Sequence, residues 1–143
     1  MADGTPQASA PLVVVDAANV IGSVPDGWWR DRLGAAERLR DALVPVAEHG
    51  LGETARVPAW AARGPLDLRL VVEGAARALP EVPGVRVIAA TGSGDDAIVR
   101  LVAAEHEATP ERRCLVVTAD RGLRARVAEL GAEVVGPRAV PRR

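Results

Sequence analysis

The 143-residue chain contains no lysine, so all 18 of its basic residues are arginine. A Walker-type phosphate loop, which needs a lysine to reach the terminal phosphates, is thereby excluded. Phenylalanine and tyrosine are also absent, leaving Trp28, Trp29 and Trp60 as the only aromatic side chains. The single cysteine, Cys114, sits inside an apolar run. It can belong to no disulfide framework or thiolate cluster, and it reads as a packed thiol. There are two histidines, His49 in a predicted loop and His106 late in a predicted helix, neither beside a serine or cysteine nucleophile. Both read as exposed surface positions. No charge of one sign predominates, since the formal net charge is -1. A polyanionic partner would have to be drawn by a bound cation or a local arginine patch. No apolar run approaches membrane-spanning length, and MADGTPQASAP has neither the basic start nor the apolar core of a secretory signal. The expectation is a soluble cytoplasmic protein with no membrane partner. With 48% hydrophobic and 26% charged residues, the composition fits one folded globular domain.

Along the chain, residues 1–11 read as a flexible leader, 12–137 as the domain and 138–143 as a basic tail. Leu12 to Val15, a β-branched run ended by Asp16, predicts a buried strand. Leu33, Ala36, Leu39 and Leu43 recur at helical spacing, in a helix that Pro45 should end or kink. His49 to Pro65 then reads as a long loop. Strands are predicted at Leu68–Val72, Val85–Ala89, Leu115–Val117 and Glu133–Val135. A short helical piece spans Ala75–Leu79, and Pro83-Gly84 is a turn. Ile98, Leu101 and Val102 mark a helix to about Glu107, and Leu123, Val127 and Leu130 mark another that Gly131 stops. Strands alternating with helices predict a three-layer, Rossmann-like α/β fold with a mainly parallel central sheet.

Three of these strands run out into acids: VVVD at Asp16, VIAATGSGDD at Asp95 and Asp96, and VVTAD at Asp120. In a parallel sheet those ends share the edge where ligands bind, so the acids should converge. Three carboxylates about 5 Å apart would cost roughly 3 kcal/mol per pair at an effective dielectric of about 20. Protonation or a bound cation relieves that cost, and hard oxygen donors favour Mg2+ or Mn2+ over zinc. Asp95, Ile98 and Val102 stand at i, i+3 and i+7, which puts Asp95 at the head of the buried stripe and makes it the better ligand. Asp96 is rotated away, four residues before Arg100, as an ordinary surface ion pair that can still act through water. Each acid also has a plainer reading: Asp120 as a helix cap, Asp95 at a helix dipole, Asp16 in a turn. Asn19 lies one turn beyond Asp16, where an amide orients a carboxylate or a phosphate oxygen without adding charge. Glu73 is a fourth strand-end acid, placed for the outer shell.

GSGDDA superficially matches a dinucleotide loop, yet its two aspartates occupy the helix N-terminus that a pyrophosphate needs. A receiver domain would require a lysine after a later strand. A hydrolase with an aspartate nucleophile would show DxD where this chain has DAAN.

The ordered pieces VVVDAANVIGS, GSGDDAIVRLV and VVTADRGLRARV resemble the NYN group of the PIN-like nuclease superfamily. PDGWWRDR, following the first piece, resembles the small stand-alone actinobacterial type. The resemblance spans most of residues 12–137. It implies a PIN-like fold and a metal-dependent (endo)ribonuclease, with Asp16, Asp95 and Asp120 holding Mg2+ or Mn2+ and Asn19 matching the family's early asparagine. The helical acid common in the superfamily has three candidates here, Glu37, Asp41 and Glu73.

The expected chemistry is hydrolysis of RNA phosphodiester bonds, with Asp16, Asn19, Asp95, Asp96 and Asp120 in the catalytic set and Asp96 or Asp120 orienting the water. Arg30, Arg32, Arg121 and Arg124 are the candidates for gripping substrate phosphates, with weaker help from Arg138, Arg142 and Arg143. Trp28 or Trp29 either stacks on an unpaired base or packs as a lid over the first loop. Two alternatives stand beside this reading. One is a non-catalytic module of the same fold that binds RNA, a nucleotide or a protein partner; the other is the toxin of a toxin–antitoxin pair. A homodimer is compatible with each.

Overall fold

A computed structural model describes residues 10–54 and 56–141. The expected leader up to residue 9, with Arg142 and Arg143 of the expected tail, lies outside these residues. Five strands, β1 (Leu12–Asp16), β2 (Asp67–Val72), β3 (Val85–Ala89), β4 (Cys114–Val117) and β5 (Glu133–Val135), form one sheet in the order β3-β2-β1-β4-β5. Every neighbouring pair is parallel. Helices α1 (Ala17–Gly22), α2 (Arg32–His49), α3 (Ala59–Ala62), α4 (Gly94–Ala108) and α5 (Arg121–Ala128) connect and cover the strands.

All five residues of β1 are buried, as expected of a central strand covered on both faces. Alternation then divides the core. Val13 and Val15 pack on the side of Leu39 and Leu43 from α2, whereas Leu12 and Val14 pack on the side of Ile98 and Val102 from α4 and Leu123 from α5. The chain runs outward from β1 through β2 to β3, then returns to the other side of β1 as β4. The change of direction falls between β1 and β4, where an open α/β sheet leaves a crevice at its carboxyl ends.

Three features depart from the sequence expectations. Helix α2 continues past Pro45 to His49. Pro45 lies on the exposed face, where water can reach the Asp41 carbonyl that has lost its helical donor, while Leu43, Val46 and Ala47 are buried and hold the helix. His49 therefore ends a helix instead of standing in a loop. The expected long loop contains the helical turn α3, whose Ala61 and Ala62 are buried. At the two ends, Ala10 and Val140 are buried at 5% exposure, so core packing reaches into the segments expected as leader and tail. The remaining boundaries agree closely, including Gly131 at a left-handed φ of 92° just beyond α5.

At the amino edge of the sheet a buried ion network ties the layers together. Asp67 at the start of β2 accepts from Arg69 at 2.9 Å and from Arg112 at 2.8 Å, and both guanidiniums also reach Glu105 of α4. The paired arginines hold the Asp67 carboxyl below its ordinary range despite burial. Asp67→Ala should cost about 3 kcal/mol in a urea-unfolding measurement, because it leaves two buried guanidiniums sharing the single carboxylate of Glu105.

Candidate active site

The acids at the carboxyl ends of the strands are placed by the helices that follow them. Asp16 ends β1 and caps α1, its Oδ1 accepting from the Asn19 N–H at 3.4 Å. Its Oδ2 accepts from the Thr118 hydroxyl at 2.9 Å. β1 and β4 pair in register through Val15 and Val117, so Thr118 is the next step along β4 and faces Asp16 across the crevice. Asp120 caps α5, its Oδ1 accepting from the Leu123 N–H at 2.9 Å, and its own N–H donates to Thr118 Oγ1. Thr118 thus joins two of the three predicted acids. Sequence reasoning passed over it, although a hydroxyl closing an apolar strand beside an acid was a readable signal.

Asp95 stands in the first turn of α4, which Ser93 caps through the Asp96 N–H. Glu73, just past β2, approaches the same turn so closely that a Cβ built on Gly94 would lie 2.6 Å from its Oε1. Glycine at 94 leaves room for that carboxylate. Glu73 therefore belongs with the cluster, whereas Glu37 and Asp41 are exposed on α2 and Asp41 pairs with Arg40 at 3.0 Å. Of the three candidates for the helical acid, Glu73 alone enters the electrostatics of the site.

Those electrostatics show convergence. Burial raises the Asp16 carboxyl to about 6; the bonds from Thr118 and Asn19 oppose that rise, and the charges of Asp95 and Glu73 add to it. Asp95 is raised by burial, then by Asp120 and Glu73. Four carboxylates thus feel one another at one rim. No guanidinium lies within 4.0 Å of any of the four among the described residues. In donor chemistry the cluster suits a hard divalent cation. In arrangement it is more open: among the described residues no three acidic, histidine or cysteine side chains are gathered tightly enough to hold one ion. Two oxygens that would turn to a cation, Oδ1 of Asp16 and Oδ1 of Asp120, accept capping hydrogen bonds instead.

Other expectations change at this level of detail. The Asn19 side chain does not orient Asp16; its Oδ1 accepts from the Ala119 N–H at 2.8 Å and so fastens α1 to the loop after β4. Asp96 pairs with Arg126 of α5 at 3.0 Å, not with Arg100, and that contact holds its carboxyl below the ordinary range. Helix–helix packing brings the α5 arginine to Asp96, a contact that spacing within α4 could not reveal. Arg124 is anchored by its Nε to the Thr118 carbonyl at 2.8 Å. Arg32 lies 5.3 Å from the Trp28 ring centre, and Arg30 lies 5.8 Å from that of Trp29. Arg121 is exposed at the start of α5. Trp28 is half-buried and, with Arg32, Ile21 and Glu73, lines a cavity of about 210 Å³; Trp29 is 55% exposed. Cys114 is partly buried, and burial pushes its thiol up to about 11.

With this geometry in place, comparison with known proteins adds the fold relationship. The crystal structure of Rae1 (YacP) from Bacillus subtilis, in a point-variant form, superposes with a TM-score of 0.69 over 90% of this chain and 71% of that one, at 16% identity. The fold is PIN-like. No family model matches the chain, and no curated protein does. Among the described residues no helix is long and apolar enough to cross a membrane.

The raised Asp16 carboxyl has a consequence for folding. Between pH 3.8 and about 6 the folded protein holds more protons at Asp16 than the unfolded chain does, so this residue's contribution to stability declines as pH rises through that window. In metal-free buffer, Asp16→Asn should gain on the wild type by up to about 3 kcal/mol between about pH 4 and pH 7, read from paired urea-unfolding curves.

Proposed function

We propose that the protein is a metal-dependent ribonuclease that hydrolyses RNA phosphodiester bonds at the carboxyl rim of its sheet. The observation that carries this reading is the mutual crowding of Asp16, Glu73, Asp95 and Asp120, in which two carboxyls are raised and none has a guanidinium partner among the described residues. The PIN-like fold and the sequence resemblance to the NYN group support it. Asp16 and Asp95 would hold an Mg2+ or Mn2+ ion, with Glu73 or Asp120 turning to complete the shell. When bound, such an ion polarises a phosphate oxygen and lowers the pKa of an attacking water.

The remaining roles belong to the chain itself. Asp120 has one oxygen committed to its capping bond and the other free to accept from the water, which makes it a better orienting group than Asp96, already engaged by Arg126. Thr118 fixes the carboxylate plane of Asp16, and Asn19 fixes the loop that carries Asp120. Arg32, beside Glu73 on the shared cavity, is placed for a substrate phosphate, and Trp28 for a base.

A second reading, a non-catalytic RNA-binding module of the same fold, is favoured by one observation. Asp16 and Asp120 already serve as helix caps, and the acids do not close around one point. Cleavage of single-stranded and structured RNA in Mn2+ separates the two. The enzyme reading expects turnover that falls about 100-fold or more in Asp95→Asn, the scale of losing a few kcal/mol of transition-state charge stabilisation, while RNA affinity is retained. Tight RNA binding by the wild type with no turnover in Mg2+ or Mn2+ would establish the module instead.

A further inference from the structure

A second cavity, of about 520 Å³, opens at the carboxyl end of β5 and is lined by Arg56, Arg124 and Arg138 together with residues 134–137. Its charged side chains are all cationic. None of the three arginines has a carboxylate within 4.0 Å among the described residues, although Arg40, Arg63, Arg69, Arg112 and Arg126 each do. Three guanidiniums lining one cavity with no acid among its residues favour an anion there.

One arginine of the cavity is held in place, by a residue that also holds an acid. Arg124 spends its Nε on the Thr118 carbonyl at 2.8 Å, which fixes the guanidinium plane, and its terminal nitrogens make no other hydrogen bond among the described residues. The hydroxyl of that same threonine holds Asp16. Thr118 therefore contacts a residue of each site, Arg124 of the cavity and Asp16 of the acidic cluster. Phosphate oxygens suit the arginine fork, and the residues between the arginines, Val134 to Pro137, carry no polar side chain to read a base.

We propose that Arg56, Arg124 and Arg138 form a subsite for a backbone phosphate of the RNA strand, adjoining the acidic centre. The assignment rests on RNA being the ligand in the reading above, but it does not depend on cleavage. The test uses the full chain in EDTA, where cleavage is off, and a short fluorescein-labelled single-stranded oligoribonucleotide whose affinity is followed against salt. Arg56→Gln combined with Arg138→Gln, both exposed and dispensable to the core, should weaken binding and flatten the log–log salt slope by about 0.7 to 1.4, one to two phosphate contacts. Arg38→Gln with Arg86→Gln, exposed arginines on α2 and on β3 at the sheet edge opposite β5, removes equal charge and should leave the slope nearly unchanged. Equal effects of the two doubles would reduce the cavity to bulk charge and overturn the assignment, as would an unchanged slope in the first. Adenosine monophosphate bound as tightly as the oligonucleotide, and with the same arginine dependence, would overturn the strand in favour of a free nucleotide. A wild type that cleaves nothing in Mn2+, yet keeps the arginine-dependent slope, sinks the nuclease reading and leaves this subsite standing.

Discussion

Parallel pairing aligns the carboxyl ends of β1, β2 and β4, and any acids at those ends are thereby forced onto one rim. Asp16 ends β1, Glu73 follows β2 and Asp120 lies just past β4, while Asp95 arrives from the crossover into α4. Like charges brought together by backbone topology have three outlets: protonation, pairing with arginine, or a cation. Among the described residues no arginine stands within pairing distance of the four. The chain therefore tolerates an electrostatic cost at the rim that the rest of the fold must offset.

The offset is visible at the other edge. There Asp67 and Glu105 meet Arg69 and Arg112 in a buried network that joins β2, α4 and the segment before β4. One edge satisfies its charges fully and the other leaves carboxylates unmatched. Between them lies an aliphatic core in which β1 contributes to both faces. Such a division, rigid and paired at one edge and frustrated at the other, is the pattern expected where binding energy is to be supplied by a ligand.

Much of this was readable from residue order. Strand-end acids after β-branched runs carry their own topology, because a parallel sheet leaves few other places for VVVD and VVTAD to end. The i, i+3, i+7 spacing of Asp95, Ile98 and Val102 also located Asp95 on the inward side of α4, where it is half-buried while Asp96 is exposed. What stayed hidden depends on contacts between elements distant in sequence. The pairing of Asp96 with Arg126 needs α4 beside α5, and the Asn19 bond to Ala119 needs β1 beside β4. Pro45 misled for the opposite reason: local propensity argued for a break, and the buried residues around it outweighed that preference. Glu73 could be named as a strand-end acid, but its approach over Gly94 is a matter of side-chain direction that no periodicity encodes.

The central claim is that a divalent ion relieves the crowding at the rim, drawing inward carboxylates that otherwise stand slightly apart. Calorimetric titration of Mn2+ into the metal-free protein at about pH 6, in two buffers of different ionisation enthalpy, tests it directly. Because Asp16 titrates near that pH, the account predicts saturable binding coupled to proton release, with the released proton lost in Asp16→Asn and affinity sharply reduced in Asp95→Asn. Absence of saturable binding at millimolar Mn2+, or binding indifferent to both substitutions, would contradict it.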